Sequence, residues 1–282
     1  MKKIWNASAR IITAIVITNL LIIAMVGILI GLGRFDDLQT DFIFMHVMYT
    51  VVGVINTLLI FLLFYKVDHQ NPWFMGFHLR KKDTLFSIVA LILSFSTVLI
   101  FIWFLDYMEV VIAQYHFEKI FTGGFYKLLG ISCIGWFFAA LKEEVLARGY
   151  FMANLSRLSI PNAIFISALL FMALHFVMGD LDPYKAASWF TGGIVYAYIY
   201  VKSGSLTVST IVHAAHNLVN DLVIHGSQGA LVLLNTTVTT ADKLIYELVL
   251  GTLLLLLTYL FYGKNGVFTP SQNLKLLTEG GQ

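Results

Sequence analysis

Three groups of polar residues interrupt otherwise apolar stretches of this chain, and their types are those of general acid–base chemistry. The first is Lys142-Glu143-Glu144-Val145-Leu146-Ala147-Arg148. The second is His175, four residues after Phe171, and the third is His213-Ala214-Ala215-His216-Asn217, with Asn220 beyond it. An ionisable side chain at membrane depth costs at least ~2.5–3.5 kcal/mol on insertion scales, so each group is a functional hypothesis by default. Residues four apart on a helix share a face, so Glu144 and Arg148 can pair with the acid on the favourable N-terminal side. Glu143 lies about 100° around the helix from Glu144. With Arg148 taken by Glu144, Glu143 is left as an unneutralised carboxylate, which suits a general base in a low-dielectric setting. His213 with Asn217, and His216 with Asn220, also stand four apart, so the helix that bears them carries a polar stripe that cannot face lipid.

The elements that must position these groups are transmembrane helices. Of the 282 residues 59% are hydrophobic and only 12% charged, against about 25% charged in an ordinary soluble domain. A soluble fold of this length could not hide so much apolar surface. Spans of roughly 20 apolar residues are expected at Ile11–Gly31, Phe42–Tyr65, Thr84–Leu105, Phe125–Ala140 with an extension, Pro161–Val177, Ala186–Val201, Leu206–Ile224 and Leu244–Tyr262. The fold class is therefore all-α, a polytopic membrane bundle of about eight transmembrane helices. It forms a single integral domain over residues 1–282, with a motif-bearing core at about 125–224 and a flexible cytoplasmic tail at 265–282. The run from Ile11 is longer than a signal-peptide core and reads as a retained first helix. Pro72 to Leu79 reads as a short interfacial segment.

Residue 159 lies midway between Glu143 and His175 and falls in the turn Leu158-Ser159-Ile160-Pro161. A tight hairpin there would set Glu143 and His175 at matching depth on neighbouring helices. With the N-terminus inside, only Arg34, Lys119, Lys127, Lys185 and Lys243 of the 18 basic residues fall outside. Both termini are therefore expected in the cytoplasm. The lone cysteine, Cys133, reads as a small buried hydrophobe and excludes a disulfide framework or a cysteine metal cluster within one chain. His46, His69, His78, His116 and His225 stand in no pattern.

Glu-Glu-x-x-x-Arg, then Phe-x-x-x-His, then His-x-x-x-Asn, in that order on helices, resembles the CAAX protease and bacteriocin-processing family, the CPBP or Abi group. The resemblance runs from about Phe125 to Ile224. It implies that Glu143 activates the attacking water with help from His175, and that His213 and Asn217 stabilise the tetrahedral oxyanion. Glu144 and Arg148 would hold the site in shape, while Phe171, His216 and Asn220 would serve substrate or support the site. His216 and Asn220 offer a second His-x-x-x-Asn register. Zinc held by Glu143, His175 and His213 is one version of the chemistry. A metal-free, glutamate-dependent mechanism without any cofactor is the version the resemblance favours. The implied substrate is a membrane-associated peptide or lipidated protein: a prenylated CAAX tail, a peptide pheromone or a bacteriocin precursor, with immunity as a related role. The site is expected to open toward the cytoplasm and laterally to lipid, in a bacterial cell membrane. The motifs leave the oligomeric state open.

Taken singly, the motifs have plainer readings. Glu144–Arg148 can be a helix-stabilising ion pair, Phe171 packing, and His175 an interhelical hydrogen-bond residue. Two other function classes compete: a non-catalytic scaffold keeping the same fold, and a small transporter. A transporter would show paired repeats or helices broken by Gly or Pro, whereas the four prolines all lie outside span interiors. Nothing points to nucleic acid.

Overall fold

A computed structural model describes residues 2–176, 182–223 and 230–274. Among them are eight helices of 16 residues or more: α1 (Lys2–Gly31), α2 (Phe42–Lys66), α3 (Lys81–Tyr107), α4 (Gly123–Glu144), α5 (Ile160–His175), α6 (Pro183–Ser203), α7 (Leu206–Val223) and α8 (Thr240–Tyr262). Each overlaps one of the eight expected stretches. Val177 and Ile224, which end two of those stretches, lie outside the described residues, as do His225 and the tail from 275 on. The only strands among the described residues are β1 (Ala113–Tyr115) and β2 (Val232–Leu234), paired antiparallel.

Local chemistry sets the helix starts. Asp41 accepts from Phe44 N ahead of α2, Thr122 from Phe125 N ahead of α4, and Thr239 from Asp242 N ahead of α8. Pro183 occupies the first position of α6, and the Asp182 carboxylate accepts from the Tyr184 and Lys185 N–H groups. Only Gly204 and Ser205 separate α6 from α7. Gly204 takes φ +70°, and the Gly76 Cα comes so close that a Cβ there would sit 2.7 Å from the Gly204 carbonyl oxygen. Gly76 itself is at φ +92°, so both positions need a residue without a side chain.

Among the described residues, five helical stretches are long and apolar enough to cross a membrane: Asn6–Gly31, Phe42–Lys66, Lys81–Tyr107, Gly123–Asn154 and Thr240–Asn265. The other three helices lack that combination of length and apolar composition. α5 is apolar but spans 16 residues, or ~24 Å against a hydrocarbon core of ~30 Å. α6 and α7 are buried along much of their length. A helix screened from lipid by its neighbours needs no apolar coat. The apolar surface is instead displayed outward by residues such as Leu20, Leu62, Ile92, Trp103 and Leu260, all more than half exposed. Cys133 belongs to that outer surface, which corrects its reading as a buried hydrophobe: its side of α4 faces away from the bundle.

Two apolar clusters form the interior. One gathers Ile60, Phe64, Met75, Tyr150, Phe151, Ile164 and Ala197, and the other Phe86, Val98, Ile102, Val195, Ile199, Val212 and Leu250. α6 contributes to both, so it forms the wall between them.

Contacts between connections sort the bundle into two ends. At the first end Arg10 pairs with Asp68 at 2.7 Å, Leu206 N donates to Gly76 O, and Arg80 donates to Ser203 O. Residues 266–271 join there through Lys202, whose Nζ donates to Gly266 O and Thr269 O, and through Ser271 N, which donates to Val201 O. Leu274 is fully buried, so the first ten residues of the stretch expected to be loose are held against α6. At the second end β1, between α3 and α4, pairs with β2, between α7 and α8.

Candidate active site

The first motif folds as a helix that changes pitch. α4 ends at Glu144 and continues as a π-helical segment, Val145–Phe151, every residue of which is buried. Such segments cluster at functional sites, and the i,i+4 pattern alone gave no sign of this one. Arg148 Nη1 lies 3.0 Å from Glu144 Oε1 with both side chains fully buried, so the expected pair is present. Glu144 is saturated: it also accepts from Ser209 Oγ at 2.5 Å and from His213 Nδ1 at 2.9 Å. Arg148 donates to the Gly193 carbonyl at 3.0 Å, and its guanidinium lies over the rings of Phe171 and Tyr196, at 4.5 and 5.5 Å. Phe171 is thus a packing partner of the buried cation.

Glu143 points the other way, into the space between α5 and α7. Its Oε2 is 3.9 Å from His175 Nε2 and 3.8 Å from His213 Nε2. Both distances exceed a direct hydrogen bond and suit a bridging water. The hairpin register therefore does set Glu143 and His175 at one depth. Glu143 is not without a positive neighbour, however, since Lys142 Nζ lies 3.7 Å from its Oε1.

Hydrogen bonding fixes what each imidazole can do. His175 Nδ1 faces the Phe171 carbonyl at 2.9 Å. A carbonyl only accepts, so Nδ1 carries the proton and Nε2 presents a lone pair toward Glu143 when the ring is neutral. His213 Nδ1 is likewise committed to Glu144. Rings on either side hold these orientations: Trp189 stacks on His175 at 4.9 Å, and Tyr196 on His213 at 4.3 Å.

His216 and Asn220 form a second network. His216 Nδ1 meets the Tyr196 hydroxyl at 2.7 Å, while Nε2 lies 3.0 Å from Glu247 and 2.8 Å from the Asn220 amide. This network bonds neighbouring helices. The Asn217 side chain makes no hydrogen bond among the described residues, and it lines the same cavity as Glu143, His175 and His213. That cavity has a volume of about 450 Å³. Its far wall includes Lys185, Thr240 and Lys243, in the first turns of α6 and α8. It therefore extends toward the second end, away from the end where residues 266–271 lie against α6.

The zinc version of the chemistry fits the geometry poorly. Among the described residues no three His, Cys, Asp or Glu come together as a metal-ligand set. The Glu143–histidine distances also exceed the roughly 3.3–3.4 Å that tetrahedral ligation with Zn–N and Zn–O bonds near 2.0–2.1 Å would give.

Pattern reasoning missed Ser209, Tyr196, Trp189, Glu247, His46 and Asp221. Ser209 was within reach, since it stands four residues before His213 on the stripe that continues to Asn217. The others come from helices with no spacing signal. His46 is buried, within 3.3 Å of Ser132 and 3.4 Å of Asp221, and Trp136 donates to that aspartate.

Comparison with curated proteins and with solved structures finds no match to the chain. Residues 124–219, the stretch that holds Glu143, Glu144, Arg148, His175, His213 and Asn217, match the family model described as type II CAAX prenyl endopeptidase, Rce1-like.

Proposed function

We propose that the chain is an eight-span intramembrane endopeptidase that uses Glu143 to activate water, without a metal, against membrane-associated peptides or lipidated protein tails. One observation carries this reading: Glu143 Oε2 faces the Nε2 atoms of His175 and His213 at 3.9 and 3.8 Å on the wall of a cavity. A water between them can donate one proton to Glu143 and the other to the lone pair of His175. As its oxygen bonds to the scissile carbonyl carbon, Glu143 takes the first proton. The carbonyl oxygen becomes the oxyanion and accepts from the Asn217 amide and from His213. His213 can donate through Nε2 only as an imidazolium, because Nδ1–H is already held by Glu144, and the buried Glu144 carboxylate compensates that charge. Collapse of the intermediate breaks the C–N bond, and the proton on Glu143 passes to the leaving amine.

The matched family points to prenylated CAAX-type tails. Pheromone or bacteriocin precursors, or an immunity role, are the bacterial counterparts of the same reading. The test is cleavage of membrane-anchored peptides by purified wild type and Glu143→Ala, with and without a chelator, read by mass spectrometry. Cleavage by wild type alone, indifferent to the chelator, is expected. Loss of cleavage on chelation would turn Glu143, His175 and His213 into metal ligands, and equal cleavage by both proteins would remove Glu143 from the mechanism.

A further inference from the structure

The network of Glu247, His216 and Tyr196 plays no part in the proposed mechanism, yet it meets the catalytic centre at the face of Tyr196. Glu247 of α8 lies 3.0 Å from His216 Nε2 on α7, and His216 Nδ1 meets the Tyr196 hydroxyl of α6 at 2.7 Å. A carboxylate accepts, so Nε2 carries a proton, and in the neutral imidazole Nδ1 accepts from the tyrosine O–H. Lys243 stands four residues before Glu247 on α8 and attracts its charge. Tyr196 is buried, and its ring lies against that of His213, with 4.3 Å between centroids and 15° between planes. The χ2 torsion of a histidine has broad wells. One hydrogen bond, from Nδ1 to Glu144 at 2.9 Å, therefore leaves the His213 ring room to rock about Cβ–Cγ. Rocking would move Nε2, the atom 3.8 Å from Glu143. A parallel ring face blocks that motion, and it also favours the imidazolium that the mechanism requires of His213.

We propose that Tyr196 is a positioning residue for His213, and that Glu247 and His216 act on the catalytic centre through it. Their hydrogen bonds fix the Tyr196 ring, and the face of that ring fixes the His213 imidazole. The consequence for turnover rests on the peptidase reading above, whereas the consequence for the His213 ring does not. Among the described residues Glu247 makes no hydrogen bond or ion pair with Glu143, His175, His213 or Asn217. Its influence on them therefore has to pass through His216 and Tyr196, and this route makes the two ends of the relay energetically dependent on one another.

The experiment uses the full chain in phosphatidylcholine nanodiscs and a quenched fluorescent peptide carrying a lipid anchor. Tyr196→Phe keeps the ring and loses the hydroxyl, and Glu247→Ala removes the far end of the relay. Each is expected to lower kcat about tenfold, the rate equivalent of one hydrogen bond, with KM unchanged. Glu247→Gln is expected to keep most of the turnover, because an amide oxygen still accepts from His216 Nε2. Tyr196→Phe combined with Glu247→Ala is expected to lose no more than either alone. A multiplied loss in the double variant would overturn the proposal, as would a Glu247→Ala effect confined to KM or a Glu247→Gln loss equal to that of Glu247→Ala. The motion of the His213 ring is read separately, by magic-angle-spinning NMR of histidine-labelled protein, with its signal assigned by its loss in His213→Asn. Wider ring motion is expected in Tyr196→Phe and in Glu247→Ala, and unchanged motion in both would overturn the proposal whatever the turnover. Wider motion in these variants, with no cleavage even by wild type, would sink the peptidase reading and leave the positioning role standing. Cleavage with the same kcat in wild type and every variant would do the reverse.

Discussion

Two adjacent glutamates of identical chemistry do different work because the helix turns them about 100° apart. Glu144 faces Arg148, Ser209 and His213 in the interior, whereas Glu143 faces the cavity. Neutralising each should therefore give opposite signatures. Glu144→Gln leaves the Arg148 guanidinium fully buried without its counter-ion, a change that typically costs 3–5 kcal/mol. A clear fall in melting temperature in detergent is expected, with activity lost along with the fold. Glu143→Gln keeps the shape of a side chain that is partly open to the cavity. Its melting temperature should stay near that of wild type while cleavage falls by about 10²-fold or more. If Glu143→Gln unfolded the protein, or Glu144→Gln left its stability unchanged, the division of labour between the two carboxylates would be wrong.

At the scale of elements, the site depends on how closely α5 approaches α6. A Cβ at Gly193 would lie 2.9 Å from both Cα and Cβ of Ala168, so Gly193→Ala must push the two helices apart. Overpacking of this kind costs typically 1–3 kcal/mol. It would also shift the Gly193 carbonyl that accepts from Arg148, and the helix that ends in His175. Gly193→Ala is expected to lower both melting temperature and turnover. Gly130 of α4 has no atom within 4 Å of an added Cβ. Gly130→Ala should leave turnover alone and raise stability slightly, by about 0.4–1 kcal/mol, through the unfolded chain. Equal effects of the two substitutions on unfolding and turnover would show that close helix approach does not hold the site.

For the whole molecule, the charge pattern predicts which end of the bundle faces the cytoplasm. The first end holds Arg10, Lys66, Arg80, Lys202 and Lys264, which the positive-inside rule places in the cytoplasm. The cavity extends toward the other end. In a Cys133→Ser background, a cysteine at Thr236, in the exposed loop after β2, is expected to react with a membrane-impermeant maleimide added to intact cells. A cysteine at Asn265 is expected to stay protected until the cells are opened. The opposite labelling would turn the cavity toward the cytoplasm and place both ends of α1–α8 outside, against the charge rule.

The sequence by itself determined the membrane class, the eight helical stretches and the ordered motifs, because apolar runs and i,i+4 spacing are local properties that survive any packing. The Glu144–Arg148 pair and the matched depth of Glu143 and His175 were legible for the same reason. Only the tertiary structure decided which groups on different helices meet. Ser209 and His213 reach Glu144 across the α4–α7 contact, and Tyr196 stacks on His213 from α6. The same holds for the cavity's direction, which depends on where α5, α6 and α8 place their ends. Contacts between helices are set by how side chains of different elements interlock, and no spacing within one element encodes that.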